Sequence, residues 1–334
     1  MALPADDQTL TNVYLPAGPG GNTLERESLR DVVERVYKTE APLYNNTMKT
    51  EADALKMEWG EEDLGAITAA EPRKHGFVAA PTAAVSPVRL DNYLQLIAEE
   101  GSVSRTMAAL RAAGGTNTLA HQRLKKGELM LRRINKRLYT GQVKDGTVTA
   151  TKLATIHAYI LPANFRSEAT TPGTLGGSSN GATLPTAGTT PQAFDSIVPI
   201  DAILQSAFLS RGKPSVLYMS PKNSAAFSRL PDASIAENRI VRNAGNAGPF
   251  VHVGVVDQYM SDFGVVEKAV DIDCPNTDIL LIDHDYIDMP IVPGMDFDET
   301  ELGIRASSRE FMIEWLGTLR VTMRSAHGLV NGLT

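Results

Sequence analysis

One stretch, Thr116 to Tyr139 (TNTLAHQRLKKGELMLRRINKRLY), constrains this chain more than any other. Ala120, Leu124, Gly127, Leu131, Ile134 and Leu138 recur at steps of three and four, which places them on one narrow stripe of an α-helix. Thr116 or Asn117 can cap the first amides, and Gly141 can close the C-terminal end. Such a rod is roughly 36 Å long, about the width of a small domain, so the rest of the fold must be arranged along it. Seven basic residues, Arg123, Lys125, Lys126, Arg132, Arg133, Lys136 and Arg137, stand against the single acid Glu128. The segment therefore carries +6, and the remainder of a chain whose net charge is −7 carries −13. The acidic remainder can pair with the helix within one subunit or across several.

At 334 residues the chain can form one elaborate domain or two ordinary ones around a sizeable core. Its 43% hydrophobic and 21% charged residues are ordinary for a globular protein. Cys274 is the only cysteine, which excludes an intrachain disulfide and a cysteine-based zinc site. The opening MALPADDQTL lacks the basic and apolar regions of a signal peptide, and no apolar run approaches a membrane span. The expectation is a soluble product made in a cytoplasm, with no membrane partner and no cofactor.

Residues 1–23, rich in Pro, Gly, Asn and Thr, read as an extended arm. Leu24 to Lys38 reads as a helix with Leu29, Val32, Val33 and Val36 on one face, ended by Pro42. From Ala54 to Trp59 the pattern becomes strand-like, with Leu55, Met57 and Trp59 pointing one way. Val88, Leu90, Leu94 and Leu96 suggest a second strand. Between them lie Glu61, Glu62 and Asp63 and a Pro- and Ala-rich stretch. Together these predict a two-stranded flap with a wide tip, which must lie against something else to be ordered.

Ser102 to Ala113 reads as a short helix before Gly114-Gly115, and Thr151 to Leu161 as another. Ala169 to Phe194 contains no charged residue and reads as a long loop. Residues 195–285 look like an α/β unit. Ile200, Ile203, Leu204, Ala207 and Phe208 form a helical face closed by Gly212. Ser215 to Met219 is a strand, Ser220-Pro221 starts a helix, Val251, Val253 and Val255 alternate, and Ile279 to Ile282 is a buried strand. Phe311, Ile313, Trp315, Leu319, Val321 and Met323 then alternate with polar residues as one long half-buried strand, followed by an apolar tail from Leu329 to Leu333.

Fragments that resemble catalytic motifs lack their companions. Asp262-Phe263-Gly264 has no glycine-rich phosphate loop or catalytic loop beside it, and reads as a turn between strands. Asp283-His284-Asp285 has no further ligand cluster. Gly173-Thr174-Leu175-Gly176-Gly177 fits neither dinucleotide nor phosphate-loop spacing. Cys274 beside Pro275 reads as a small packed residue. No catalytic, cofactor or metal residue is assigned. The basic helix can lie against nucleic acid, or pair with acids such as Glu61, Glu62, Asp63, Asp296 and Glu299. It holds no aromatic residue except Tyr139, which disfavours base reading.

The order of arm, flap, long helix, α/β lobe and returning strand resembles a tailed-bacteriophage major capsid protein of the Hong Kong 97-like fold. The wording is also similar to that family in LRDVVERVYKTEAPLYNN, ALKMEWGEEDL, the VSRT beginning at Val103, VVDQYMSDFGVVEK and EFMIEWLGTLRVTMRSAHGLVNGL. The resemblance implies an α+β fold with an N-terminal arm at 1–49 and an E-loop at 50–98. It also implies a P-domain at 99–193 and 286–334 whose spine helix is 116–139, and an A-domain at 194–285. It implies self-assembly through hexamers and pentamers into an icosahedral shell around packaged double-stranded DNA, built in the host cytoplasm and ending in the virion. Portal, scaffold and decoration proteins are the implied partners, and no long scaffolding segment is evident in this chain.

Leu55, Met57, Trp59, Glu61, Glu62 and Asp63 are then candidate assembly residues. Arg123, Lys126, Arg133, Lys136 and Arg137 are candidate inner-face or inter-subunit residues. Gly127 either lets another backbone approach or, by the resemblance, lets the spine helix bend. An encapsulin-like compartment and an enzyme are the alternative functions. No residue context supports cross-linking of Lys49, Lys56 or Lys74 to an Asn.

Overall fold

The computed structural model describes residues 40–62, 72–78, 86–109, 119–147, 150–175, 179–230, 240–242, 256–305 and 307–334. The arm at 1–23, the helix over Leu24–Lys38, the caps Thr116 and Asn117, Asp63, and the strand through Val251, Val253 and Val255 lie outside them.

Two sheets meet along the long helix. The first has the order β1 (Met48–Glu51), β11 (Ile287–Arg305), β12 (Ser308–Gly317), β4 (Gln95–Ser104), with β13 (Arg320–Val321) also paired to β11. β1 is parallel to β11, whereas β11, β12 and β4 are antiparallel. The second sheet runs β5 (Phe165–Ser167), β14 (Gly328–Asn331), β10 (Asp278–Ile282), β6 (Val216–Met219), β9 (Gly264–Val270), β8 (Val256–Ser261), β7 (Ile240–Arg242). Thus β6 to β10 come from the 194–285 stretch, while β5 and β14 come from either side of it. A third, two-stranded sheet pairs β2 (Lys56–Glu61) with β3 (Val88–Tyr93).

The apolar pattern explains the layering. β10 is buried at every residue because the sheet is covered on both faces. Leu280 and Ile282 join a core with the long helix, while Ile279 and Leu281 join a second core under another helix. Of the five α-helices among the described residues, α1 (Pro42–Asn46) and α2 (Arg105–Ala109) are single turns, and α3 (Leu119–Tyr139) is the long one. α4 (Val198–Leu209) buries Ile200, Ile203, Leu204 and Ala207 as its spacing demands, and Gly212 N–H donates to the Ala207 carbonyl at 2.8 Å. α5 (Pro221–Phe227) starts as the sequence predicts, with the Ser220 hydroxyl accepting from Asn223 N–H.

Some boundaries differ from the sequence reading. Pro42 opens α1, where its missing N–H costs nothing. The stretch Val88 to Leu96 is two strands. Pairing with β2 ends at Tyr93, and Gln95 onward leaves the flap to pair with β12. That strand runs through Ser104, so the short helix starts only at Arg105. Thr151 to Leu161 holds a single 3-10 turn, at Ile156–Ala158. The returning strand breaks after Gly317, though Phe311, Ile313, Trp315, Leu319 and Val321 are all buried as expected. Its partner β11 is a 19-residue strand in which Pro293 and Gly294 sit where the pairing register shifts, while Pro290 pairs with Thr50 of β1. Asp262-Phe263 is the turn between β8 and β9, as read.

Candidate assembly surfaces

The flap is rooted in its own subunit. Leu90 and Leu94 are fully buried. Trp59 lies over the Tyr159 ring, with centroids 5.9 Å apart, and its indole N–H donates to the Val321 carbonyl at 2.8 Å. Glu61 Oε2 pairs with Arg324 Nε at 2.5 Å, and both side chains are largely buried. Asn92 fills four bonds, donating to the Ala154 and Leu319 carbonyls and accepting from the Tyr93 and Ala154 N–H groups. Asp91 accepts from Lys144 at 2.6 Å and lies 3.4 Å from Lys56. Those lysines hold its carboxyl below the usual range against the opposing effect of burial.

Trp59 and Glu61 therefore act as anchors of the flap base. Their alternation with Lys56, Glu58 and Gly60 turns that strand face onto the subunit. Met57 is half-buried, whereas Leu55 is 58% exposed and Glu62 is exposed.

The long helix divides at its middle. Met130, Ile134, Leu138 and Tyr139 are buried against the first core. Asn135 on the same face links three segments. Its Oδ1 accepts from Tyr44 N–H at 3.2 Å, and its Nδ2 donates to Asp271 Oδ2 at 2.7 Å. A polar residue inside the apolar stripe was the available signal for this junction. Toward the N-terminus the stripe is uncovered within the subunit: Ala120 is exposed and Leu124 is 51% exposed. A Cβ built on Gly127 meets nothing within 4 Å, so no described segment packs closely against that glycine.

Its basic residues divide similarly. Arg123 pairs with Glu299 at 2.6 Å and with Glu301 on β11. Lys126, at 3.2 Å, and Arg133 converge on Glu99 of β4, which is only 3% exposed. Arg132 pairs with Asp273 at 2.7 Å. Glu299 is among the acids named from the sequence. Asp296 instead accepts from the Tyr44 hydroxyl at 3.2 Å, and Glu99, Glu301 and Asp273 were not foreseen because tertiary folding alone brings them to the helix. Lys136 is exposed and Arg137 half-buried, and neither forms an ion pair with a described residue.

Among the described residues no group of three or more His, Cys, Asp or Glu could hold a metal. Asp283-His284-Asp285 forms a turn in which Asp283 Oδ1 accepts from Asp285 N–H. Cys274 is buried, and burial pushes its thiol upward, away from a reactive thiolate. No described helix is long and apolar enough to cross a membrane.

A family model described as SU10 major capsid protein matches residues 9–334. The chain belongs to that family. This major capsid protein is thus a structural subunit of a capsid shell and a component of the virion. Its α+β fold is Hong Kong 97-like, as the sequence resemblance implied.

The capsid asymmetric unit of cyanophage A-1(L) is similar to it in structure, with a TM-score of 0.63 at 13% identity, covering 93% of this chain and 98% of that one. The capsid of a native GTA particle gives 0.59 at 15% identity, covering 95% and 98%. The holo-SrpI encapsulin complex of Synechococcus elongatus PCC 7942 gives 0.53 at 14%, covering 100% and 96%. No curated protein sequence matches the chain.

Proposed function

We propose that this capsid protein tiles a closed icosahedral shell, as hexamers and pentamers of itself, around packaged double-stranded DNA. The observation that carries this reading is the family match over nearly the whole chain. The uncovered half of the helix stripe at Leu124, together with Leu55 and Val88 of the flap, supports it as apolar surface available to neighbouring subunits. In this reading Leu55, Met57, Glu62 and Asp63 contact neighbours, while Lys136 and Arg137 face either a neighbour's acids or the genome. The arm, E-loop, P-domain and A-domain occupy the ranges given by the sequence resemblance. The subunit has no catalytic role, assembles in the host cytoplasm, and works with portal, scaffold and decoration proteins.

An encapsulin-like compartment is the second reading, favoured by the structural match to SrpI over the full length of this chain. The two differ in cargo. Particles purified from infected or expressing cells are imaged by electron microscopy and treated with nuclease. Large uniform shells that protect double-stranded DNA support the capsid reading. Uniform shells holding a protein cargo and no nucleic acid replace it with the compartment, and a small discrete oligomer overturns both.

A further inference from the structure

The stretch Ala169 to Phe194 is free of charge over 26 residues, and its described residues, 169–175 and 179–194, pair as a ribbon. Thr171 bridges Thr189 and Leu175 bridges Pro185, both antiparallel. Thr170 N–H donates to the Thr190 carbonyl at 3.1 Å, Thr186 N–H to the Thr174 carbonyl at 2.8 Å, and the Thr174 and Thr186 hydroxyls lie 3.0 Å apart. The two limbs touch through backbone: a Cβ on Gly173 or Gly188 would overlap the opposite limb. The ribbon is also pinned from beneath. Leu175 and Leu184 pack on the first core, Arg324 donates to the Ser179 carbonyl at 3.1 Å, and Lys144 to that of Asn180 at 2.8 Å.

What the ribbon presents outward is neutral throughout, hydroxyls beside groups such as Pro172, Ala187 and Gln192. Thr170, Thr171 and Thr174 on one limb and Thr186, Thr189 and Thr190 on the other are all exposed. Thr190 holds φ at 60°, a left-handed conformation that a β-branched side chain rarely adopts. The whole chain is 21% charged with net charge −7, so a charge-free surface of this length departs from the rest of the sequence. Threonine loses little side-chain entropy on contact, and the ribbon offers no large apolar residue outward.

We propose that this ribbon is a self-contact surface, meeting the same ribbon of a neighbouring copy about a rotation axis of the shell. The physical reason is symmetry. Around a rotation axis a residue approaches its own copy, so any charge there meets a like charge, which costs binding free energy. A rigid, neutral hydroxyl surface is free of that penalty in a subunit whose net charge otherwise repels its copies. The inference rests on the shell reading above and adds where two copies touch and in what relation.

The test is a charge exchange at Thr171 and Thr189, whose side chains make no hydrogen bond with described residues. Full-length Thr189→Asp and Thr189→Lys are expressed separately and together, with Thr189→Ser as neutral control, and particle yield is measured by sedimentation and electron microscopy. In a self-contact either charge alone lowers yield about tenfold or more, the control assembles normally, and co-expression of the Asp and Lys variants restores mixed particles. Restoration also shows that both variants fold. Normal yield from both variants, loss with only one sign, or loss that co-expression does not repair overturns the proposal. Thr171→Asp with Thr171→Lys repeats the test at the opposing position. Wild-type chain that forms no shells overturns the shell reading itself, so the two failures are distinguishable.

Discussion

His327 makes the stability of this subunit depend on pH in a direction that can be worked out. It lies fully buried beside the second sheet, where its Nδ1 accepts from Asp283 N–H at 3.3 Å and its backbone carbonyl accepts from Asn164. Burial, aided by nearby His284 and opposed by a hydrogen bond with the Tyr286 backbone, pushes its pKa from 6.5 down to about 4. Above pH 6.5 the imidazole is neutral in both folded and unfolded chains and the group contributes no pH dependence. Between pH 6.5 and about 4 the unfolded chain takes up a proton that the folded chain refuses, so stability falls as pH falls. At about 1.4 kcal/mol per pH unit, the interval is worth about 3 kcal/mol. Asp283, whose carboxyl burial pushes upward, contributes with the opposite sign, so the wild type alone is not diagnostic.

The perturbation is His327→Gln, whose side-chain carbonyl can still accept from Asp283 N–H but cannot titrate. Urea unfolding of dissociated subunits, followed by fluorescence of Trp59 and Trp315, is compared at pH 7 and pH 4. Wild type is more stable at pH 7, and its advantage shrinks by about 3 kcal/mol at pH 4. A difference between the two proteins that stays constant across this range refutes the reasoning, because His327 then titrates alike in both states.

The same substitution should act oppositely at two glycines. Gly127→Ala, with open space at its Cβ, should raise subunit stability by about 1 kcal/mol, whereas Gly101→Ala, whose Cβ would overlap the Phe311 ring, should lower it by about 1–3 kcal/mol. Thermal melting of both variants decides the matter, and loss of stability at Gly127 would point to a contact with another segment. Trp59→Phe should cost about 1 kcal/mol through the stranded Val321 carbonyl, and Glu61→Gln about 3 kcal/mol by removing the carboxylate that faces the buried Arg324 guanidinium. Denaturant midpoints check both, and wild-type midpoints would mean that the flap base is not docked as described. Replacing residues 63–85 by a short Gly/Ser turn spares those anchors, so the subunit should melt normally yet form no shells. Normal shells from that deletion would remove the flap tip from assembly.

Local periodicity made several elements legible without tertiary information. The spacing of Leu124, Leu131, Ile134 and Leu138 predicts a helix, and Ile200, Ile203, Leu204 and Ala207 predict another, because a step of three or four residues returns to the same face. Phe311, Ile313 and Trp315 alternate because a strand turns over at each residue. Order and wording along the chain carried the family. The buried strand over Ile279 to Ile282 was legible as an apolar run, but which layers cover its two faces was not, since such a run has the same look whichever layers flank it. Nor could the sequence show β11 as one strand, because proline and glycine mark both turns and bulges.

The basic helix shows the division most plainly. Sequence alone determined that Arg123, Lys126, Arg132 and Arg133 share a rod with almost no acid of its own. Only the tertiary structure decided that Glu99, Asp273, Glu299 and Glu301, distant along the chain, neutralise these four and leave Lys136 and Arg137 without such a partner among the described residues. Helical periodicity is set by backbone geometry within a few residues, whereas the partner of a charge is set by which distant segments the packed core brings within a few ångströms.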